Sequence, residues 1–410
     1  MTWLVVIGGL VVLVFLHELG HFGVAQLVGI KPRAFYIGFP PAIAKIRHNG
    51  IDYAIGAIPL GGLVRIPGMH RPAGRDIEVF MDPAVRENPE LHAPTKRIRH
   101  ALDDENWAAA RAALPELRAA IDGSQLTPSA SRSAHRAYRE ADEGTGDDAY
   151  WRQKTWKRVA VIVAGPLMNV VVAFAIFAAV FLTGAPSQNL ASTKVAQVEA
   201  GSPAAVSGLH AGDRIVAVDG KQTPTFDVLS RRIRASHGRA IVVTVERGGR
   251  TFALPPHTTI KREGRWIFGF EPAARLVPHS FGTSMRLAAD QCWSIVRDTG
   301  ATLRGLVHSK ERAQLTGTVG IVKYSDQALT VGFSYYLQIL GFVSMSLALM
   351  NLLPFLPLDG GHILFSIIEG VRRRALAREV YERVSVVGFS LIILIFFVTL
   401  NNDVGRYFHG

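Results

Sequence analysis

Apolar residues in this chain are gathered into four long blocks, separated by stretches in which charge, glycine or alternation dominates. The blocks cover residues 2–28, 159–183, 331–353 and 384–400, and each can cross a hydrocarbon core of ~30 Å as a helix. The last is the shortest and lies near the minimum length. A helix is the expected element because lipid offers no partner to backbone N–H and C=O groups. Residues 50–67, containing IDYAIGAIPLGGLVRIP, alternate apolar and small residues and are too short and glycine-rich to span. They predict a β-hairpin that dips into the membrane, its backbone covered by protein or a water-filled cavity.

The segments between the blocks are of a different kind. Residues 74–146 interleave acids and bases and contain LDDENWAAARAALPELRAAI, which predicts one short helix in a small charged cytoplasmic insert with no chemistry of its own. Residues 190–272 are soluble in character, with a helical pattern over 226–236 and the strand-like IVVTVERGGRTFAL turning at Gly248-Gly249. Residues 281–315 predict an amphipathic helix on the membrane surface. The domain organisation that follows is 1–69 (first span and hairpin), 70–150 (insert), 151–187 (second span), 188–272 (soluble domain), 273–330 (surface helix and linker) and 331–410 (third and fourth spans).

Composition supports the membrane reading: 49% of residues are hydrophobic and 19% charged. A net charge of +12 would also suit nucleic acid, but no nucleic-acid module accompanies it. The basic residues are better matched to anionic lipid headgroups, so the bilayer is the expected partner. Arg372, Arg373, Arg374, Arg378 and Arg383 crowd the short loop between the last two spans, which places that loop in the cytoplasm and both chain ends and residues 190–330 outside. Lys31, Arg33, Lys154, Lys157 and Arg158 flank the first two spans on the same inner side. The N-terminus lacks a basic leader and a small-residue cleavage pattern, so the first block is expected to be retained. The single cysteine, Cys292, excludes an intrachain disulfide and a cysteine-rich zinc site.

Within the first apolar block stands HELGH, His17 to His21. On a helix, histidines at i and i+4 share a face within reach of one zinc ion, and the intervening Glu18 is placed to take a proton from water at the metal. Ionisable groups in a span are costly and mark function. Binding zinc would keep both imidazoles neutral and give the carboxylate a partner. A catalytic zinc takes three protein ligands and leaves one position open. Asp359, in NLLPFLPLDGGH at the cytoplasmic end of the third block, is the candidate third ligand, because HELGH also lies toward the cytoplasmic end of its span. A helix N-cap is the alternative role for Asp359, and His362 is a competing ligand or a neighbour of the site. Asn351 and Asn169 are candidates for oxyanion contacts, with helix-to-helix hydrogen bonding as the alternative. Residues 51–66, including Gly61 and Gly62, are candidates for pairing with an unwound substrate segment.

Gly208, Leu209, Gly212, Asp213 and Gly220 fall on a GLxxGDxIxxVDG pattern, and the soluble domain resembles a PDZ domain attached to bacterial proteases. Such a domain binds extended peptides at a sheet edge, through a loop here containing Gly208, Leu209, Gly212 and Asp213, or serves as a steric gate. Together with HELGH, AGPLMN in the second span and NLLPFLPLDGGH, the chain resembles the site-2 protease family of intramembrane zinc metalloproteases (peptidase M50), in particular bacterial regulator-of-sigma-E proteases. The likeness covers nearly the whole chain except residues 74–146. It departs at Gly38-Phe39-Pro40, at Leu356-Pro357 and at residues 315–318, none of them a candidate ligand.

The resemblance implies a polytopic α-helical membrane protein with about four transmembrane helices, a membrane-dipping β-hairpin and an inserted extracytoplasmic PDZ-like α/β domain. It implies one Zn²⁺ per chain, a bacterial inner-membrane location, and single-span membrane substrates such as anti-sigma factors or remnant signal peptides. A zinc transporter or a catalytically silent PDZ-bearing scaffold are the rival classes. The first needs no Glu between the histidines, and the second would usually lose a ligand or Glu18.

Overall fold

The first block folds as α1 (Thr2–Leu27) in the computed structural model, which describes residues 2–262, 265–305, 318–376 and 378–408. The helix ends where Gly29 turns to a φ of 86°, a left-handed stop that favours glycine. Strands β1 (Ala34–His48) and β2 (Ile51–Arg65) follow, paired antiparallel around Asn49 and Gly50 with φ of 51° and 77°. Asn-Gly with both residues left-handed is the tight hairpin turn that matches strand twist. Residues 50–67 were expected to hold a hairpin of their own; instead they supply one limb, because the Asn-Gly signal lies at their start and the other limb precedes it. Residues 34–37 pair with both 52–55 and 62–65, so β2 doubles back along β1. Phe35 and Tyr53 of this sheet stack on Phe22 of α1, with ring centroids 5.1 and 5.9 Å apart.

The insert is larger than the single short helix expected of it. It forms α2 (Gly74–Glu87), α3 (His92–Asp103), α4 (Trp107–Asp122) and α5 (Pro128–Thr145). Their inward faces repeat at helical spacing: Ile77, Met81 and Ala84; Ile98 and Leu102; Ala110, Leu114, Leu117 and Ile121; Ala130, Ala134, Ala137 and Ala141. The stretch 102–121 that read as one helix is broken at Asn106, whose side chain accepts from the Ala109 amide at 3.0 Å and starts α4 afresh.

Next come α6 (Thr155–Thr183) and the strand Ala185–Val198, which enters a sheet ordered Phe270–Val277, Ala185–Val198, Arg214–Val218, Val243–Arg247 and Arg250–Ala253. Short α7 (Pro203–Val206) and α8 (Phe226–Arg234) pack on it around Val195, Leu209, Ile215, Leu229, Ile233, Val245 and Phe268. Gly248 and Gly249 make the expected turn, with φ of 56° and 77°. This unit is consistent with a PDZ-like insert.

The chain closes with α9 (Phe281–Gly305), α10 (Thr318–Val331), α11 (Phe333–Asn351), α12 (Asp359–Arg372) and α13 (Arg378–Phe408). The expected continuation of the surface helix to residue 315 lies outside the described residues, as do Leu315, Thr316 and Gly317.

Windows in α1 (Leu4–Leu27), α6 (Thr155–Thr183), α11 (Phe333–Asn351) and α13 (Val380–Leu400) are long and apolar enough to cross a membrane. The protein is a polytopic helical membrane protein. The fourth window, expected to be the shortest, has 21 residues and the third has 19. Exposed Leu4, Val12, Leu167, Val171, Phe396 and Phe397 on these helices are what lipid contact requires. By contacts, the chain divides into Met1–Leu10, Val170–Leu347 and Leu394–Gly410 as one unit, and Val11–Asn169 and Ala348–Ile393 as the other. The HELGH motif, α12 and the insert all belong to the second.

Candidate active site and metal centre

Helix α1 presents His17 and His21 one turn apart, both buried, with Nε2 atoms 3.2 Å from each other. Asp359 Oδ2 lies 3.3 Å from each of these nitrogens. Among the described residues, these three form the group of His, Cys, Asp or Glu side chains able to hold a metal, and His362 is outside it.

The second ring nitrogens decide what such closeness means. His21 Nδ1 donates to the Val161 carbonyl oxygen at 2.9 Å, which leaves its Nε2 as a bare lone pair. His17 Nδ1 meets the Asn169 side-chain amide at 3.0 Å. The structure places the amide nitrogen there; flipped over, the amide presents its oxygen in the same position, and His17 would then carry its proton on Nδ1 as well. Asp359 Oδ2 is shut off from solvent and has no hydrogen-bond partner. Three lone-pair donors then converge on one point, an arrangement that repels itself unless a cation stands between them. The donor set of two neutral imidazoles and a carboxylate suits zinc.

Glycines permit this convergence. A Cβ on Gly165 of α6 would stand 2.2 Å from His21 Nε2, and one on Gly20 would stand 2.4 Å from the Ala164 carbonyl oxygen, so α1 and α6 approach through missing side chains. Asp359 is the first residue of α12, and the N-cap is Leu358 without a side-chain cap bond, so the capping alternative is not what is seen. Gly360 and Gly361 press on the backbone of residues 352–356, where a Cβ would come within 2.3 and 2.5 Å. That contact starts α12 hard against the preceding loop and aims Asp359 at the histidines.

The remaining sequence candidates separate. A Cβ on Gly62 would stand 2.4 Å from Glu18 Cγ, so β2 crosses directly over the HELGH carboxylate, while Gly61 abuts the Phe39 ring. Asn169, fully buried, meets His17 at Nδ1, the ring nitrogen on the edge away from Asp359, which is a helix-to-helix hydrogen bond. Asn351 ends α11 half-buried, with no hydrogen bond to the cluster among the described residues. In the PDZ-like unit, Leu209 is core and Asp213 is clasped by Arg247 through Nε and Nη2 at 2.7 and 2.8 Å. Arg247 also donates to the Gly208 carbonyl at 2.7 Å, so Leu209 and Asp213 brace the loop from within. Gly208 and Gly212 have φ of 81° and 92°. Sequence reasoning missed Gly20, Gly165 and Val161; the small residues of AGP were the available signal.

A model of peptidase family M50 matches residues 5–395. The chain belongs to that family. Its M50 relatives run nearly end to end with it. A protein of Agrobacterium fabrum provisionally named a zinc metalloprotease is 30% identical, covering 95% of this chain and 92% of its own. Zinc metalloprotease RasP of Bacillus licheniformis is 28% identical over 97% of both chains, and RasP of Geobacillus kaustophilus is 27% identical over 99% and 98%. This M50 chain is thus a membrane-embedded metalloendopeptidase whose His17, His21 and Asp359 cluster fits a single zinc ion.

Proposed function

We propose that the protein hydrolyses a peptide bond within the transmembrane segment of single-span membrane proteins, with His17, His21 and Asp359 holding the zinc and Glu18 as general base and acid. The convergence of three lone-pair donors beside Glu18 carries this reading. Zinc held there supplies a Lewis acid for the scissile carbonyl and lowers the pKa of a water to roughly 7. Glu18 takes the proton of the attacking water and returns it to the leaving amide nitrogen. Val161 and Asn169 keep the imidazoles turned toward the metal.

A transmembrane helix must unwind before its peptide bonds are accessible. The end of β2 that crosses Glu18 supports strand pairing as the means of holding the unwound segment: residues 62–65 pair with 34–37 on one side, and a substrate strand would add at the other. The arginine-rich loop between α12 and α13 supports a multi-pass orientation in a bacterial inner membrane with both termini and the PDZ-like unit outside and the site near the cytoplasmic face. Anti-sigma factors already shortened on their outer side, and remnant signal peptides, fit such a site.

The test uses full-length protein in detergent, measuring bound zinc and cleavage of a model single-span substrate. Glu18→Gln should keep its zinc and lose about a thousandfold in rate. Cleavage that survives Glu18→Gln refutes the mechanism. Zinc bound by the native chain without any cleavage points to a transporter or scaffold.

A further inference from the structure

Outside the metal cluster, the polar feature hardest to account for is a buried ion pair. Arg158 and Glu369 are 5% and 7% exposed and meet with Nη2 2.5 Å from Oε2. Exchanging such a pair for apolar residues is often neutral or stabilising, so stability alone does not explain it. Its neighbours show what it joins. Glu369 Oε1 accepts from the Leu376 amide at 2.8 Å. The Tyr150 hydroxyl donates to the Arg158 carbonyl oxygen at 3.2 Å and lies 3.1 Å from Ser366 Oγ. Thr155 occupies the space where a Cβ on Gly370 would stand, 2.5 Å from its Oγ1. The first turn of α6 is thereby bolted to the last turns of α12.

Each bolted helix delivers half of the metal cluster's support. Helix α6 supplies the Val161 carbonyl, the gap at Gly165 and the Asn169 amide, which together fix both histidines. Helix α12 begins with Asp359. Ten residues of helix, about 15 Å, separate Asp359 from Glu369, and a rigid rod passes an axial shift at one end to the other. Metal ligands tolerate displacements of only about 0.2 Å.

We propose that Arg158 and Glu369 are positioning residues which set the register of α12 against α6, so that Asp359 reaches the two imidazoles at metal-binding distance. The proposal rests on His17, His21 and Asp359 being the zinc ligands. The competing account is that the packing of Gly360 and Gly361 on the preceding loop places Asp359 unaided.

Full-length protein in detergent is titrated with a zinc chelator, its cobalt-substituted form is followed by visible absorption, and thermal unfolding is recorded in parallel. Glu369→Gln should release zinc at about tenfold lower chelator concentration than the native chain, with a shifted cobalt spectrum, and Arg158→Lys should fall between the two. The double variant Arg158→Met/Glu369→Leu should melt no lower than the native protein and still release zinc early. Ile98→Ala, in the core of the insert, should melt lower and hold zinc as the native chain does. Native zinc retention in Glu369→Gln and in the double variant overturns the proposal, as does zinc loss that tracks melting temperature through all variants, Ile98→Ala included. Should Glu369→Gln not fold, Arg158→Lys and the double variant decide it. A native chain that binds no zinc overturns the ligand assignment itself, a result separable from the others.

Discussion

The insert and the membrane helices around the metal cluster are both helical, yet they are built inside out relative to one another. In the insert, Ile77, Met81, Leu91, Ile98 and Leu117 are buried, and Arg97 pairs with Glu116 and Arg136 with Glu140 on the outside. Around the cluster, Leu167 and Val171 are exposed, while His17, His21, Asn169, Arg158 and Glu369 are buried. The difference lies in the solvent each faces. Water hydrates surface charges so well that pairing them contributes little, whereas lipid hydrates none, so each polar group in a span must find a partner inside the protein or a metal. Hence an exposed ion pair in the insert says almost nothing about function, and a buried one between the helices that support the metal cluster is a pointer to it.

Three substitutions probe that contrast. The largest effect is expected for Leu117→Ala, which removes a fully buried side chain and should destabilise the insert by about 2–5 kcal/mol. Thermal unfolding followed together with zinc content should show the insert melting earlier with the metal retained; zinc lost in step would mean that the two regions fold as one.

Next comes Gly62→Ala. The added methyl meets Glu18 Cγ and should shift the carboxylate enough to lower the cleavage rate about a hundredfold. Zinc content should remain native, and an unchanged rate would show that β2 does not position Glu18. The smallest effect belongs to Arg97→Ala, whose partner Glu116 is as exposed as itself. Its effect on unfolding should stay below about 1 kcal/mol, and a larger one would contradict the view that these surface pairs are marginal.

How much could be read in advance follows from the same contrast. The four spans were legible because a long unbroken apolar run is stable in lipid only as a helix. HELGH was legible because ionisable residues inside such a run persist only where a partner or a metal offsets their cost. The insert was not, since α5 turns Ala130, Ala134, Ala137 and Ala141 inward, and alanine gives almost no hydrophobic contrast against serine and arginine. Asn169 was legible as an amide that must bond to something, with a helix-to-helix hydrogen bond among its readings, and only the fold shows that the partner is His17. Leu209 and Asp213 matched a peptide-binding pattern, yet their side chains turn inward, to the core and to Arg247.

Local sequence was enough for the helical membrane architecture and for nominating His17, His21 and Asp359 as the candidate metal cluster. These depend on local composition, on i to i+4 spacing and on the cost of isolated charge in lipid. It took the folded chain to show that β2 passes over Glu18, that glycines let α6 close on His21, and that Arg158 of α6 meets Glu369 of α12. Those are contacts between residues up to 211 positions apart, set by which backbones can approach, and no local pattern encodes an approach distance.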